Sequence, residues 1–343
     1  MYEKTKEQIE LFLSEGVFPS VSFSFINKDD SEDFYLGNAQ VVPTKEKLTS
    51  AMLFDVASLT KVVCTTTVVL QLVGEQRIEL DAPLSQYYPK FRDERITIRH
   101  LLTHTADIQT YIENRDLLNK QELQQAYNGL KSGQEIGKKV VYTDAGTILL
   151  GFMLEELLNK SVIEIFYERV LLPLGMDNSR FLPTNLTLTV PTENHNQRGL
   201  IRGETHDPKA FILAEHAGNA GLFTNINDLK KFVQMYLNFG NVDGRAFLKS
   251  ETIYSLLLDQ TPTKELKRSL GWDFKYELKT KKPILFHTGY TGTFIFIDLF
   301  EQEAFIFLSN RVHPIDNRES YIQKRDQLLE IYLKEKACWK MNE

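Results

Sequence analysis

Alternation and helical spacing divide the chain into regions before any single residue is considered. Apolar residues over about 2–15 recur at helical spacing (Ile9, Leu11, Phe12) and predict a helix. "SVSFSFIN" and "DFYLGNAQVV" alternate, are rich in Phe and Val, and predict two strands. A second helix is expected from about Leu59 to Val73, stopping near Gly74. Residues 85 to 190 read as mostly helical. "ITIRHLLTHT" opens that region. "TDAGTILLGFMLEELLNK" reads as a strong amphipathic helix with Asp144 near its start, and "SVIEIFYERVLLPLGM" follows, ended by Pro173 and Gly175. "INDLKKFVQMYLNFG" is another helix, with Gly240 as its C-cap. The tail changes character: "SLGWDFKYEL", "ILFHTGY", "GTFIFIDLF" and "EAFIFLSNR" are short, aromatic and alternating, and predict a meander of antiparallel strands before a last helix over about 318–336.

Strands at both ends with helices between predict an α+β fold: one antiparallel sheet built from the N- and C-terminal segments, flanked by the terminal helices. Residues 1–84 and 191–343 are expected to form one discontinuous α/β sandwich, with 85–190 as an inserted, mostly helical region and the active site in the cleft between them. The sequence contains no low-complexity linker and no internal repeat. Its 343 residues suffice for one large domain or two ordinary ones.

Charge and composition narrow the partners. The net charge of −6 and pI near 5.8 do not favour nucleic acid or an anionic membrane. Cys64 and Cys338 suggest no disulfide framework. The first twenty residues are charged and lack a continuous apolar core, so they do not read as a signal peptide. The run from Val62 to Val73 is broken by Thr65, Thr66, Thr67 and Gln71 and is too short to span a bilayer. As written the protein is expected in the cytoplasm, or outside it or in the cell envelope if a leader has been removed.

Chemistry enters at "FDVASLTKVV", where Ser58 and Lys61 stand one helical turn apart. A serine at a helix start lies near unpaired N–H groups and the positive end of the dipole. Its hydroxyl becomes a good nucleophile once a base takes its proton, and a lysine serves only if its pKa falls. The plain alternative is a capping serine followed by a surface lysine. Two other stretches bear on the choice. "VYTDAG" carries Tyr142, Thr143 and Asp144, and "FHTGYTGT" carries His287, Thr288 and Gly289 at the end of a predicted edge strand. That strand could supply the Tyr290 N–H to an oxyanion hole completed by the Ser58 N–H.

In this order the three elements resemble the S-x-x-K, Y-x-N and K-T-G signature of the serine β-lactamase and penicillin-binding protein superfamily. They look most like its class C β-lactamase, esterase and DD-peptidase branch. "RIELDAPLSQYYPKF", "ITIRHLLTHTADI", "LLPLGMDNSRF", "GETHDPKAFILAEHAGNAGLF" and "HTGYTGTFIFIDLF" extend the likeness over nearly the whole chain. The resemblance implies a β-lactamase-like fold and a serine hydrolase working through an acyl-enzyme, without metal or cofactor. Ser58 would be the nucleophile, and Lys61 and Tyr142 would share the acid and base work in an order left open. The substrate would be a small molecule or peptide, first of all a D-amino acid peptide. Small esters or slow β-lactam hydrolysis are alternatives, as is a non-catalytic module that keeps the pocket. No oligomeric state is indicated.

The pattern also departs from the family. Asp144 replaces Asn, and an ionised carboxylate cannot donate to a carbonyl. It is open to capping the next helix, holding Lys61 charged or meeting a substrate ammonium, and it predicts weak turnover of β-lactams. His287 replaces Lys and offers a pH-dependent anchor for a substrate carboxylate. Arg311 would supply the missing charge or be merely structural. His100 and His104 stand four apart without the Glu of a zincin motif, so no metal is expected. By resemblance the segment with His206, His216 and Asn219 borders the site, His216 itself reading as a packed, hydrogen-bonded core residue. "YLN" at Tyr236–Asn238 reads as core and helix end.

Overall fold

Alternation along the strands sorts their side chains by shape. In the computed structural model, which describes residues 1–28 and 30–339, the alternating segments form one seven-stranded antiparallel sheet. We label its strands β1 (Ser20–Asn27), β2 (Asp30–Gln40), β3 (Glu46–Lys47), β4 (Asp273–Tyr276), β5 (Pro283–Gly289), β6 (Thr293–Asp298) and β7 (Glu303–Ser309). Their order is β4-β5-β6-β7-β1-β2-β3, so the first strand pairs with the last, Val21 opposite Ser309 and Asn27 opposite Glu303. The α+β expectation holds.

The register gathers Phe23, Phe25, Phe294, Phe296, Phe305 and Phe307 on one face and Ile295, Ile297, Ile306 and Leu308 on the other. Helix α1 (Glu3–Ser14) and the C-terminal helix α5 (Arg318–Trp339) cover the aromatic face with Ile9, Phe12, Leu328 and Tyr332. The rings of Phe294 and Phe307 stack at 4.8 Å and 2°. Helix α4 (Ile226–Leu237) meets the aliphatic face through Leu229, Phe232, Val233 and Tyr236. Tyr236 is the core residue expected, its hydroxyl accepting from Trp272 Nε1 at 3.2 Å.

The terminal helices are bound to each other by charge as well as packing. No side chain at its own start caps α1. Glu335 of α5 does so instead, accepting from the N–H groups of Lys4 (3.0 Å) and Thr5 (2.9 Å) and from the Thr5 hydroxyl (2.8 Å). Buried Lys336 pairs with Asp298 at 3.1 Å and with Glu303, to which Tyr2 also donates.

Two helices differ from expectation. The segment around Asp144 forms α3 (Ala145–Leu158), but residues 145 to 154 are buried on every side, so the helix is a core element and not an amphipathic one. Surrounding helices, among them Ile98–Leu102 and Lys120–Asn128, enclose it. The stretch from Leu59 is helical, but Lys61–Thr66 winds as a π-helix before α2 (Thr67–Gly74) continues it. Among the described residues no helix is long and apolar enough to cross a membrane.

Glu335→Ala strips α1 of its cap. We expect a loss of about 1–2 kcal/mol, seen as a lower denaturant midpoint, with the Ser58 region unaltered in reactivity.

Candidate active site

The turn carrying Ser58 is built from strained backbone held by a buried carboxylate. Phe54–Asp55 pairs with Phe223–Thr224, and the chain then turns through Ala57 at φ 46°, a left-handed conformation unfavourable for alanine. Asp55 holds it there, accepting from the Ala57 N–H at 2.8 Å and from the His206 N–H at 2.8 Å. Burial raises the Asp55 pKa against those two hydrogen bonds. The Thr60 hydroxyl donates to Ala57 O at 2.7 Å, and the helix opens with Lys61 N–H on Ser58 O at 3.0 Å.

Lys61 is 1 % exposed, yet its ammonium is fully occupied. Nζ lies 2.7 Å from Ser58 Oγ, 3.1 Å from Asn219 O and 2.7 Å from Asp144 Oδ1. Burial pulls its pKa down, but Tyr142 and Asp144 outweigh burial, and the net shift is upward. Asp144 stands at the N-cap of α3 without making a capping bond. Its other oxygen lies 3.1 Å from Lys209 Nζ, and the two lysines hold the carboxyl well below the usual range despite burial. Lys209 in turn meets Asp207 Oδ2 at 2.7 Å, and Asp207 Oδ1 accepts from Asn219 Nδ2 at 3.1 Å. The ring closes where the Asn219 carbonyl accepts from Lys61. The preceding residue, Gly218, packs directly on α3, where a Cβ would lie 2.2 Å from Thr147 O.

Tyr142 forms the next wall. Its ring centroid is 5.3 Å from Lys61 Nζ, 4.5 Å from the His104 ring and 6.0 Å from the His287 ring. His104 and His287 are both buried, and desolvation with help from Lys61 and Arg268 lowers each pKa well below the ordinary histidine value. Both rings are therefore neutral near pH 7. Among the described residues neither His287 nitrogen has a hydrogen-bond partner.

The third wall is the end of β5. Strand β4 pairs only as far as Phe286, so His287, Thr288 and Gly289 present one free edge. That end is docked on the Ser58 turn. Thr291 Oγ1 donates to Asp55 O at 2.6 Å and Thr293 Oγ1 to Val56 O at 3.2 Å. A Cβ on Gly289 would stand 2.3 Å from Val56 O, so only glycine allows the contact. Among the described residues neither the Ser58 nor the Tyr290 N–H is taken by another group. A cleft of about 320 Å³ opens here, lined by Ser58, Tyr142, Arg268, His287, Thr288 and Tyr290 among others. Three segments distant in sequence thus meet at one hydroxyl.

A family model described as "Beta-lactamase" matches residues 7–330. The chain belongs to the beta-lactamase family. It is a serine hydrolase of the β-lactamase and penicillin-binding protein superfamily. A putative D-alanyl-D-alanine carboxypeptidase of Salmonella typhi is 26% identical over 314 residues, covering 79% of this chain and 72% of the relative. The fold of the present chain is similar to that of a class C beta-lactamase (TM-score 0.75, 18% identity, 96% of this chain and 95% of the other). It is similar as well to that of a beta-lactamase/D-alanine carboxypeptidase from Pseudomonas syringae (TM-score 0.73, 18% identity, 95% and 97%).

Within this beta-lactamase-family site Arg311 is engaged structurally, one of the two readings its sequence position allowed. Arg311 is buried, donates through Nε to Tyr290 O at 2.9 Å and pairs with Asp316, which also accepts from the Tyr290 hydroxyl. Its charge is matched, so it steadies Tyr290. Arg268, unmarked among the basic residues of "KELKRSL", is a second buried guanidinium of the cleft beside Arg311. Its Nε has no partner among the described residues, and Asp273 lies 3.9 Å away. His287, neutral by burial, is no pH-dependent charge. His100 completes a capping box with Thr97, and His104 accepts from the Thr143 N–H at 3.4 Å. His216 is half-buried, 2.7 Å from Glu155, and not a core residue. His206 stacks on Tyr290 at 5.6 Å, so its segment does border the site. Nothing local in the sequence distinguishes Asp55, Lys209 or Asp207.

Two outcomes follow from this geometry. Asp144→Asn removes the carboxylate that raises the Lys61 pKa. Burial is then opposed less, Lys61 loses its proton more readily, and the acid limb of the rate of Ser58 modification moves to lower pH by about one unit. A pH series with an aryl ester measures it. Gly289→Ala forces β5 off Val56 O, and we expect at least about a 100-fold drop in kcat/KM from a protein that circular dichroism shows to be folded.

Proposed function

We propose that the protein cleaves amides or esters whose leaving group carries a carboxylate, D-amino acid peptides first among them, through an acyl-enzyme on Ser58. The observation that carries this is the 2.7 Å contact of Lys61 Nζ with Ser58 Oγ at the floor of a cleft that also holds Tyr142 and Arg268. The name of the Salmonella relative points to the same substrate class.

Lys61 as an ammonium donates to Ser58 and cannot accept its proton. The reactive form is therefore the Lys61–Tyr142 pair after loss of one proton. Ser58 then attacks the carbonyl carbon and its proton passes to the pair. The Ser58 and Tyr290 N–H groups take the oxyanion. Collapse transfers the proton to the departing nitrogen or oxygen and leaves the acyl group on Ser58. Water repeats the sequence to release the acid. Arg268 supplies the cation for the leaving group's carboxylate, and Thr288 a hydroxyl beside it. Substrate enters where the helical region of residues 85–190, which contributes Tyr142, faces the sandwich of 1–84 and 191–343, which contributes Ser58 and β5.

Small esters form a second reading, favoured by Asp144. Tied to two lysines and ionised, it cannot offer a substrate amide the donor that Asn would. An ester's better leaving group tolerates that loss, and nitrocefin turnover is expected to be slow for the same reason.

Mass spectrometry with a fluorophosphonate or penicillin tests the nucleophile. One adduct per chain, absent in Ser58→Ala, is expected, and an unlabelled native protein would favour a binding module. Turnover of a D-Ala-D-Ala peptide against a neutral p-nitrophenyl ester separates the substrates. Arg268→Gln is expected to raise KM about tenfold for the peptide and leave the ester unaffected.

A further inference from the structure

Asp144 is held by two lysines, although one suffices to neutralise it. We infer that Lys209 is a positioning residue of the Ser58 site, sharing the Asp144 carboxylate with Lys61 so that the Lys61–Tyr142 pair can give up a proton. This rests on the acyl-enzyme reading above.

The geometry supports a fixed arrangement. Lys209 Nζ lies 3.1 Å from Asp144 Oδ2, while Lys61 takes Oδ1 at 2.7 Å. Its side chain is 14% exposed and anchored from behind by Asp207 at 2.7 Å. Asp207 is itself fixed, capping the helix Pro208–Leu213 through the Ala210 N–H at 2.9 Å and accepting from Asn219. Lys209 does not line the cleft with Ser58, so it acts through Asp144 and not on substrate.

Charge balance shows what the second lysine does. Lys61, Asp144, Lys209 and Asp207 sum to zero while Lys61 is an ammonium. Deprotonating the Lys61–Tyr142 pair takes the group to −1. Without Lys209 the group starts at −1 and must reach −2 in a buried place, which is harder. The conclusion holds whichever member of the pair gives up the proton.

Other charges facing the group do not take over this role. His104 and His287, beside Lys61, are neutral by burial. Tyr127 lies near Asp144 and Asp207, and burial raises its pKa, so it stays a neutral phenol. Arg115 is paired with Asp116 at 2.8 Å. Arg268 flanks Tyr142 at 5.8 Å and faces Asp273. Lys209 is the cation in direct contact with the carboxylate that holds Lys61.

The experiment is the pH dependence of Ser58 acylation by a neutral aryl ester, followed by burst kinetics in the full chain. Lys209→Met is expected to move the acid limb upward by about one pH unit, so that acylation is about tenfold slower below the limb and little changed on the plateau. Lys209→Arg, which keeps the charge, is expected to restore the native limb. Lys209→Gln serves as the second neutral variant should the methionine form not fold. An unmoved limb, a downward shift, or an equal rate loss at every pH in the neutral variants would overturn the inference while leaving the acyl-enzyme standing. A native protein that shows no burst and no Ser58 adduct would remove both.

Discussion

A buried ammonium organises this molecule. Taking a lysine head group out of water costs several kcal/mol unless it is paired and hydrogen-bonded. Lys61 meets that demand with three oxygens: the Ser58 hydroxyl, the Asp144 carboxylate and the Asn219 carbonyl. Each comes from a different part of the chain. Satisfying the amine therefore requires the segments around 58, 144 and 219 to converge, and their convergence places the Ser58 hydroxyl against the Lys61 amine.

The sheet provides the rigid side of that arrangement. Its aromatic face is clamped by the two terminal helices and its aliphatic face rests on α4, so the end of β5 is well supported. Gly289 and the Thr291 and Thr293 hydroxyls then fasten this strand end to the Asp55–Val56 backbone. The turn bearing Ser58 and the strand bearing Tyr290 are thus one unit, and the strain at Ala57 is sustained by Asp55 within it.

Within the shared family frame, charge has been redistributed. His287 stands where a lysine is usual and is neutral because it is buried beside Lys61 and Arg268. Arginines, Arg268 among them, line the cleft instead. Asp144 stands where an asparagine is usual, and its added negative charge is met by Lys209 and Asp207 in a closed circuit. The same positions around Ser58 are therefore held with a different electrostatic balance.

Local pattern was enough for the sheet, the terminal helices and the Ser58–Lys61 turn. A period of two or of one helical turn is set by backbone geometry and is written in neighbouring residues. The three motifs were also legible, because each is a short string in a fixed order. It misread α3 as amphipathic, since a helix enclosed on all sides has no polar face and periodicity cannot tell what surrounds it. Nor could it find Arg268, Asp55, Lys209 or the true engagement of Arg311, whose roles depend on partners distant along the chain. Whether Asp144 caps a helix or binds Lys61, and whether His287 carries charge, were decided only by tertiary structure. Ionisation follows burial and nearby charge in space, and neither is a property of sequence neighbours.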